Sequence, residues 1–269
     1  MALEYSVLAS GSSGNCTWVR GGGVEVLIDC GLPLRTLTQR LADIGRDVRN
    51  VSAVICTHLH GDHIGGIAPL ARAHGVTVFG TAPTLAAVRG EPPRELFREI
   101  DVLDTVQVGG MTLQAAPTPH DAPSSIAVVA AAEGGRLGVV TDLGHPTELL
   151  ARRLSGLDAL VLEMNHDVEM LETGPYPEHL KRRIRSARGH LSNEQGAELL
   201  GRVLHPGLQH LTLAHLSETN NAPRLAQAAA EQVLARGSGA PSLTLAEQRK
   251  PTAPAKLGQK RGQLSLFAL

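Results

Sequence analysis

The chain has 269 residues, of which 42% are hydrophobic, 19% are charged and 2% are aromatic. These are globular values, and the length allows one large α/β domain or two small ones, with a core of Leu, Val, Ile and Ala. The formal net charge of −1 excludes a positive field over the whole surface, so any nucleic-acid contact requires a local basic patch.

The sequence does not favour secretion or membrane insertion. Met1 leads directly into a strand-like segment without the basic and apolar regions of a signal peptide, and no apolar run approaches the length of a transmembrane helix. The cysteines, Cys16, Cys30 and Cys56, are odd in number and not closely paired, which argues against a disulfide framework. We therefore expect a soluble cytoplasmic protein that does not bind membranes.

Strand-like and helical segments alternate along the chain. Short apolar runs predict strands at 3–9, 17–20, 24–28, 51–56, 76–79, 100–103, 111–115, 124–131, 136–141, 158–163, 211–214 and 243–246. Helical spacing predicts helices at 34–44, 64–74, 83–88, 176–187, 193–204 and 223–236, with Ser192 as an N-cap. The glycine- and serine-rich loop 10–15 either brings backbone amides close to a phosphate or is an ordinary hairpin connection.

The densest cluster of chemically active residues follows the strand at 51–56. Residues 57–63 read Thr-His-Leu-His-Gly-Asp-His. Imidazole and carboxylate are ligands for zinc-like ions, and a catalytic site needs three of them with one position left for water. Four candidates exceed one such set, which indicates two adjacent ions. The other interpretation is a solvated or pH-sensitive histidine-rich loop.

This pattern resembles the HxHxDH signature of the metallo-β-lactamase fold superfamily. The resemblance implies a four-layer αβ/βα sandwich, in which two mixed sheets pack face to face with helices outside. It also implies two divalent ions, Zn²⁺ or Mn²⁺, that activate a shared hydroxide for hydrolysis. The implied ligands are His58, His60 and His120 for the first ion, Asp62, His63 and His215 for the second, and Asp142 as a bridge, while Asp29 orients the metal-bearing loop without binding.

Two later stretches resemble the paired motifs of ribonuclease Z-like nucleases. They are Gly-His-Leu-Ser-Asn-Glu-Gln at 189–195 and Leu-Ala-His-Leu-Ser at 213–217. In those enzymes the earlier histidine lies outside the metal shell and protonates the leaving oxygen, a role that transfers to His190. Asp62 and His190 are thus the predicted catalytic residues. The alternative is that His190 only makes a local hydrogen bond at a helix N-terminus.

Three further stretches, 10–16, 165–171 and 216–221, resemble the bacterial YycJ/WalJ family over residues 1–247. That resemblance implies a 5′–3′ exonuclease on duplex DNA that acts in repair such as mismatch repair. The basic helix near 181–188 either contacts the duplex backbone or is a solvated face. The rival functions are a thioester or lactone hydrolase with the same ions, and a non-enzymatic regulator. The predicted substrate contacts are Asn15, Asn165, His166, Ser217 and Asn220.

The end of the chain differs in composition from the rest. Residues 248–262 contain Pro, Gly, Lys and Arg but almost no large apolar residue, which predicts a disordered basic linker after a domain at 1–247. Residues 263–269 contain Gln263, Leu264, Leu266 and Phe267. They resemble the pentapeptide by which bacterial repair proteins dock on the β sliding clamp, the predicted partner besides DNA. The alternative is a terminal strand or helix packed on the domain.

Overall fold

A computed structural model describes residues 2–258 and contains two seven-stranded mixed sheets. The strand order of the first sheet is β14-β1-β2-β3-β4-β5-β6, antiparallel from β14 to β3 and parallel from β3 to β6. Its strands are β1 (Glu4–Ala9), β2 (Cys16–Gly21), β3 (Val24–Ile28), β4 (Val51–Ile55), β5 (Thr77–Gly80), β6 (Phe97–Glu99) and β14 (Ala255–Lys256).

The second sheet repeats this plan. Its order is β13-β12-β11-β10-β9-β8-β7, parallel from β13 to β10 and antiparallel from β10 to β7. The strand predicted at 243–246 is confirmed as β13, at one edge of this sheet. The strands are β7 (Thr105–Val108), β8 (Met111–Pro117), β9 (Ile126–Ala132), β10 (Gly135–Val140), β11 (Ala159–Glu163), β12 (His210–Ala214) and β13 (Ser242–Leu245).

Side chains that alternate in direction along the strands build three apolar cores. In β11, Ala159 and Val161 point into the core between the two sheets, whereas Leu160 and Leu162 point into the core under the outer helices. The first sheet has the same arrangement and a third core beneath its own helices. Because successive side chains of a strand point to opposite faces, a run that is buried throughout must be covered on both sides. The predicted four-layer sandwich is confirmed.

Helices pack on the outer faces of both sheets. The predicted cap of α8 is confirmed, since the Ser192 side chain accepts from the Gln195 N–H and the Gln195 side chain accepts from the Ser192 N–H. The helices are α1 (Leu34–Asp43), α2 (Gly61–Ile64), α3 (Ile67–His74), α4 (Ala82–Ala87), α5 (Glu148–Arg153), α6 (Val168–Thr173), α7 (Glu178–Ile184), α8 (Asn193–Val203) and α9 (Pro223–Leu234).

Two predicted elements differ from the structure. The helix predicted at 64–74 begins only at Ile67, as α3, after a break at Gly65 and Gly66. The short helix α2 precedes this break, and it contains Asp62 and His63, which the sequence placed in a loop. A Cβ atom at Gly66 would lie 2.1 Å from the Leu32 carbonyl oxygen, so the chain approaches a neighbouring loop too closely for a side chain. The strand predicted at 100–103 is wrong, because those residues form the turn between β6 and β7.

The disordered linker predicted from residue 248 is also wrong as far as residue 258. The Thr252 N–H donates to the Val7 carbonyl oxygen, and Thr252 Oγ1 accepts from the Val7 N–H. Strand β14 then pairs with the outer edge of β1. Leu257 is fully buried between the sheets. An exposed strand edge carries unpaired N–H and C=O groups, and this segment satisfies them despite its polar composition. Residues 259–262 and the predicted clamp peptide at 263–269 lie outside the described residues.

Candidate metal centre

The candidate site lies at one edge of the sandwich, where the strands end. Carboxyl ends of neighbouring parallel strands meet at the same edge of a sheet, which brings sequence-distant loops together. Three of the residues there, Asp29, Asp142 and His215, are non-glycine residues with φ of 62°, 59° and 55°. Such left-handed backbone is costly and is concentrated at functional sites. Asp29 follows β3, 57–63 follow β4, His120 follows β8, Asp142 follows β10 and His215 follows β12.

Three imidazoles form the first group of donors. His58 Nε2 lies 3.0 Å from His60 Nδ1, and His60 Nδ1 lies 3.3 Å from His120 Nε2. These residues form one of the sets whose donor atoms all lie within 4.8 Å of one another. The histidine predicted from a loop 60 residues further along the chain thus lies beside the pair of the 57–63 loop.

Asp62, His63 and His215 form the second group. The Asp62 Oδ2 atom lies 3.5 Å from His63 Nε2 and 4.0 Å from His215 Nε2. Asp142 lies between the two groups, with Oδ2 3.0 Å from His63 Nε2 and Oδ1 3.7 Å from His120 Nε2. The structure therefore brings together all seven side chains that the sequence predicted as ligands.

In four of these imidazoles the second ring nitrogen is held by a fixed partner. His63 Nδ1 lies 2.7 Å from Asp29 Oδ2, and His120 Nδ1 lies 3.0 Å from the Gly189 carbonyl oxygen. His58 Nδ1 contacts Thr57 Oγ1, and His215 Nδ1 contacts a carboxylate oxygen. Such partners fix the tautomer and the ring orientation of a ligand. Asp29 thus lies where its predicted orienting role requires.

The buried His215 Nε2 atom makes no hydrogen bond within residues 2–258, and the buried Asp142 Oδ2 atom contacts the His63 imidazole at 3.0 Å. A buried polar atom without a partner is costly, whereas a cation would accept the lone pair of His215 and balance the charge of Asp142. Nitrogen and carboxylate oxygen also form the donor set preferred by zinc and accepted by manganese. The residues present therefore fit divalent metal.

The electrostatics of the two groups differ. Burial lowers the pKa of His58 well below its ordinary value, so this imidazole is neutral, as a ligand must be. Burial also opposes a charge on His63, but the carboxylates of Asp142 and Asp29 raise its pKa well above the ordinary value. Burial would likewise raise the pKa of Asp142, yet the surrounding imidazoles lower it strongly. A bound metal ion would supply the positive charge that the proton on His63 otherwise supplies beside Asp29 and Asp142.

Sequence reasoning missed Glu163, the last residue of β11, which is fully buried. Its Oε1 lies 2.7 Å from His190 Nδ1 and 3.2 Å from His215 Nδ1, and its Oε2 accepts from the Leu143 N–H. Burial opposes a charge on His190, but Glu163 raises its pKa to about 9. The available signal was an acidic residue that ends an otherwise apolar strand.

One predicted substrate residue lies at the centre of the site, and the others lie around it. Asn15 is at the centre of the site, where Nδ2 donates to Asp62 Oδ2 and lies 3.0 Å from His63 Nε2. Asn165 supports the loop of the candidate ligand His215 by donating to the His215 carbonyl oxygen. Both are buried, as are His166 and Asn220, while Ser217 is half-buried.

The loop at 10–15 connects β1 to β2 and holds two of the candidate ligand segments in place. The Asn15 N–H donates to the Asp62 carbonyl oxygen, and Ser10 Oγ accepts from the His215 N–H, both at 2.7 Å. The loop is therefore a hairpin connection that also fixes the site. Its predicted approach to a phosphate stays a prediction.

Comparisons with known proteins agree with this geometry. The Metallo-beta-lactamase superfamily profile matches residues 9–210. Exodeoxyribonuclease YycJ of Bacillus anthracis is 33% identical over 261 residues, 96% of this chain and 99% of the relative. Exodeoxyribonuclease WalJ of Streptococcus pneumoniae is 33% identical over 231 residues, 84% of this chain and 86% of the relative. The metallo-beta-lactamase fold protein YhfI of Bacillus subtilis superposes with a TM-score of 0.70 at 16% identity, over 94% of this chain and 99% of that structure.

The fold and its edge of histidines and aspartates define a hydrolase of the metallo-beta-lactamase class. Within that superfamily the chain belongs to the YycJ/WalJ family, as the sequence motifs predicted. Among residues 2–258, no helix combines the length and apolarity needed to cross a membrane.

Proposed function

We propose that the protein is a metal-dependent phosphodiesterase that acts as a DNA exonuclease. The observation that carries the proposal is the meeting of seven side chains that could hold metal beside His190, whose ring is fixed by Glu163. The relatives that cover nearly the whole chain are named exodeoxyribonucleases, which favours DNA over other substrates.

We further propose that the site holds two divalent ions, zinc or manganese. The two donor groups, joined by Asp142, correspond to the two ions. When bound, such ions polarise phosphoryl oxygens and lower the pKa of water. The residues of the chain orient the ligands and keep them buried. Asn15 holds Asp62 in place through its amide group.

The proposed role of His190 is to protonate the leaving oxygen. Its Nδ1 is held by Glu163, which leaves Nε2 as the atom that can meet a substrate. A pKa of about 9 keeps the ring protonated near neutral pH, as a general acid requires. His190 also lies close enough to Asp142 and His215 to form a further metal-binding set, so metal content after its replacement distinguishes an acid from a ligand.

The experiment is digestion of end-labelled linear DNA and of circular DNA by metal-free protein to which zinc or manganese is returned. We expect release of nucleotides from 5′ ends of linear duplex, none from the closed circle, and none from His58→Ala. Cleavage of circular DNA would exclude the exonuclease assignment. Turnover of a thioester or lactone panel, with DNA left intact, would replace the proposal by the small-molecule alternative.

We also propose a role in DNA repair, such as mismatch repair, in the cytoplasm, with recruitment by the β sliding clamp through Gln263, Leu264, Leu266 and Phe267. Four residues separate Gly258 from Gln263, so a docked peptide would hold the enzyme close to the clamp. Titration of the full chain with purified clamp tests this. Binding that is unchanged when Leu266 and Phe267 are both replaced by Ala would exclude the peptide as the docking segment.

A further inference from the structure

Helix α7 and its C-cap residue, Arg185, carry a row of cations, and two of these are already engaged away from the site. Lys181 is largely buried and donates to the Glu172 carbonyl oxygen. Arg185 forms ion pairs with the carboxylates of Glu172 and Glu178. These side chains hold α7 to the preceding segment and are not available to a ligand.

Arg183 points in another direction, toward the metal centre. Its Nε donates to Asp121 Oδ2. The other oxygen, Asp121 Oδ1, lies 3.1 Å from His120 Nε2 and 3.4 Å from His60 Nε2. One carboxylate therefore separates the guanidinium from two of the proposed ligands of the first ion.

The end of α7 is fixed to the site by the residues that follow it. The His190 N–H donates to the Ile184 carbonyl oxygen at 2.8 Å, and the Gly189 carbonyl oxygen accepts from His120. The position of Arg183 next to the first donor group is thus set by the same turn that places the proposed acid.

Arg183 also differs from every other cation of the described chain in its charge environment. Five carboxylates surround the centre, and within residues 2–258 Arg183 is the only arginine or lysine in an ion pair with any of them. A nucleic-acid substrate presents a second phosphate beside the one being cleaved. A positive charge at this rim of the site would balance the charge of that phosphate. The five carboxylates are Asp29, Asp62, Asp121, Asp142 and Glu163.

The guanidinium of Arg183 still has N–H groups available to bind such a phosphate. Its side chain is 54% exposed, and its two terminal nitrogens make no hydrogen bond in the described chain. Terminal guanidinium N–H groups bind phosphate oxygens in pairs, and an arginine already anchored through Nε loses little further freedom on binding. We propose that Arg183, anchored by Asp121, binds the DNA phosphate next to the scissile one. This inference rests on the proposed nuclease function.

The test compares Arg183→Ala and Arg183→Lys with Arg182→Ala, which removes an exposed cation from the neighbouring position of the same helix. Zinc-loaded proteins are titrated with a short fluorescent duplex whose terminal linkages are phosphorothioates that resist cleavage. Metal content, KM and kcat on ordinary duplex are measured in parallel. We expect Arg183→Ala to raise Kd and KM about tenfold and to reduce the salt slope of binding by about one. Arg183→Lys should recover part of the loss, and Arg182→Ala should stay within about twofold of the wild type.

Metal content should be unchanged in all three variants. If Arg183→Ala binds and cleaves DNA like Arg182→Ala, the inference is overturned while the nuclease function stands. If Arg183→Ala loses metal, the pair only positions ligands and the phosphate contact is wrong. Absence of DNA cleavage by the wild type would instead contradict the proposed function itself.

Discussion

Replacement of Glu163 by Gln tests whether the buried carboxylate holds His190 in its charged form. Glu163 receives three hydrogen bonds, from His190 and His215 on one oxygen and from the Leu143 N–H on the other. An amide has one acceptor oxygen, so in Glu163→Gln either the imidazoles or the Leu143 N–H lose their acceptor. A buried donor left without a partner costs about 1–3 kcal/mol.

The negative charge of Glu163 makes a second contribution to the unfolding free energy, and this contribution depends on pH. The pKa of His190 is raised from 6.5 to about 9. At about 1.36 kcal/mol for each pKa unit, protonated His190 stabilises the fold by about 3 kcal/mol. Because the folded-state pKa is the higher one, this stability is fully present below about pH 6.5 and is lost as pH rises through 9.

The assay is urea unfolding of metal-free wild type and Glu163→Gln at several pH values between 6 and 9. We expect the difference in unfolding free energy to be largest at pH 6 and to shrink by roughly 2–3 kcal/mol by pH 9. A difference that is the same at every pH would show that Glu163 does not hold a proton on His190, and would remove the physical basis of its proposed acid role.

Three other replacements test separate parts of the structure. His190→Ala should lower kcat by about 10²–10⁴-fold with metal content unchanged, and a loss of metal in elemental analysis would make His190 a ligand instead. Gly31→Ala should abolish metal binding, because its Cβ would lie 1.7 Å from the backbone oxygen of Asp62. Gly61→Ala, whose Cβ would meet no atom within 4 Å, should bind metal normally. Leu257→Ala should lower the unfolding free energy by about 2–5 kcal/mol, whereas Ala at the exposed Lys256 should lower it by less than about 0.5 kcal/mol. Equal effects of the two replacements in urea unfolding would contradict the packing of this segment.

The parts of the site that are close in sequence were the easiest to predict. His58, His60, Asp62 and His63 lie within six consecutive residues, so their order and spacing alone indicate metal. His120, Asp142 and His215 were predicted through family resemblance, and each follows a strand that ends at the same edge.

Other contacts depend on tertiary register and leave little local signal. Glu163 ends a buried apolar strand, and its partnership with His190 and His215 exists only because β10, β11 and β12 are neighbours. Asp121 and Arg183 are 62 positions apart and meet through the turn after α7. The segment at 248–258 is polar in composition, and its order comes from the open edge of β1 and the burial of Leu257, neither of which is visible in the local sequence.

The most direct test of the account is the number of metal ions bound per chain. Metal-free protein is titrated with zinc or manganese, and the bound ions are located in an anomalous-difference map of the loaded crystal. We predict two ions, one among His58, His60 and His120 and one among Asp62, His63 and His215, with Asp142 between them. A single ion, or ions bound elsewhere, would contradict the two-ion centre and the mechanism built on it.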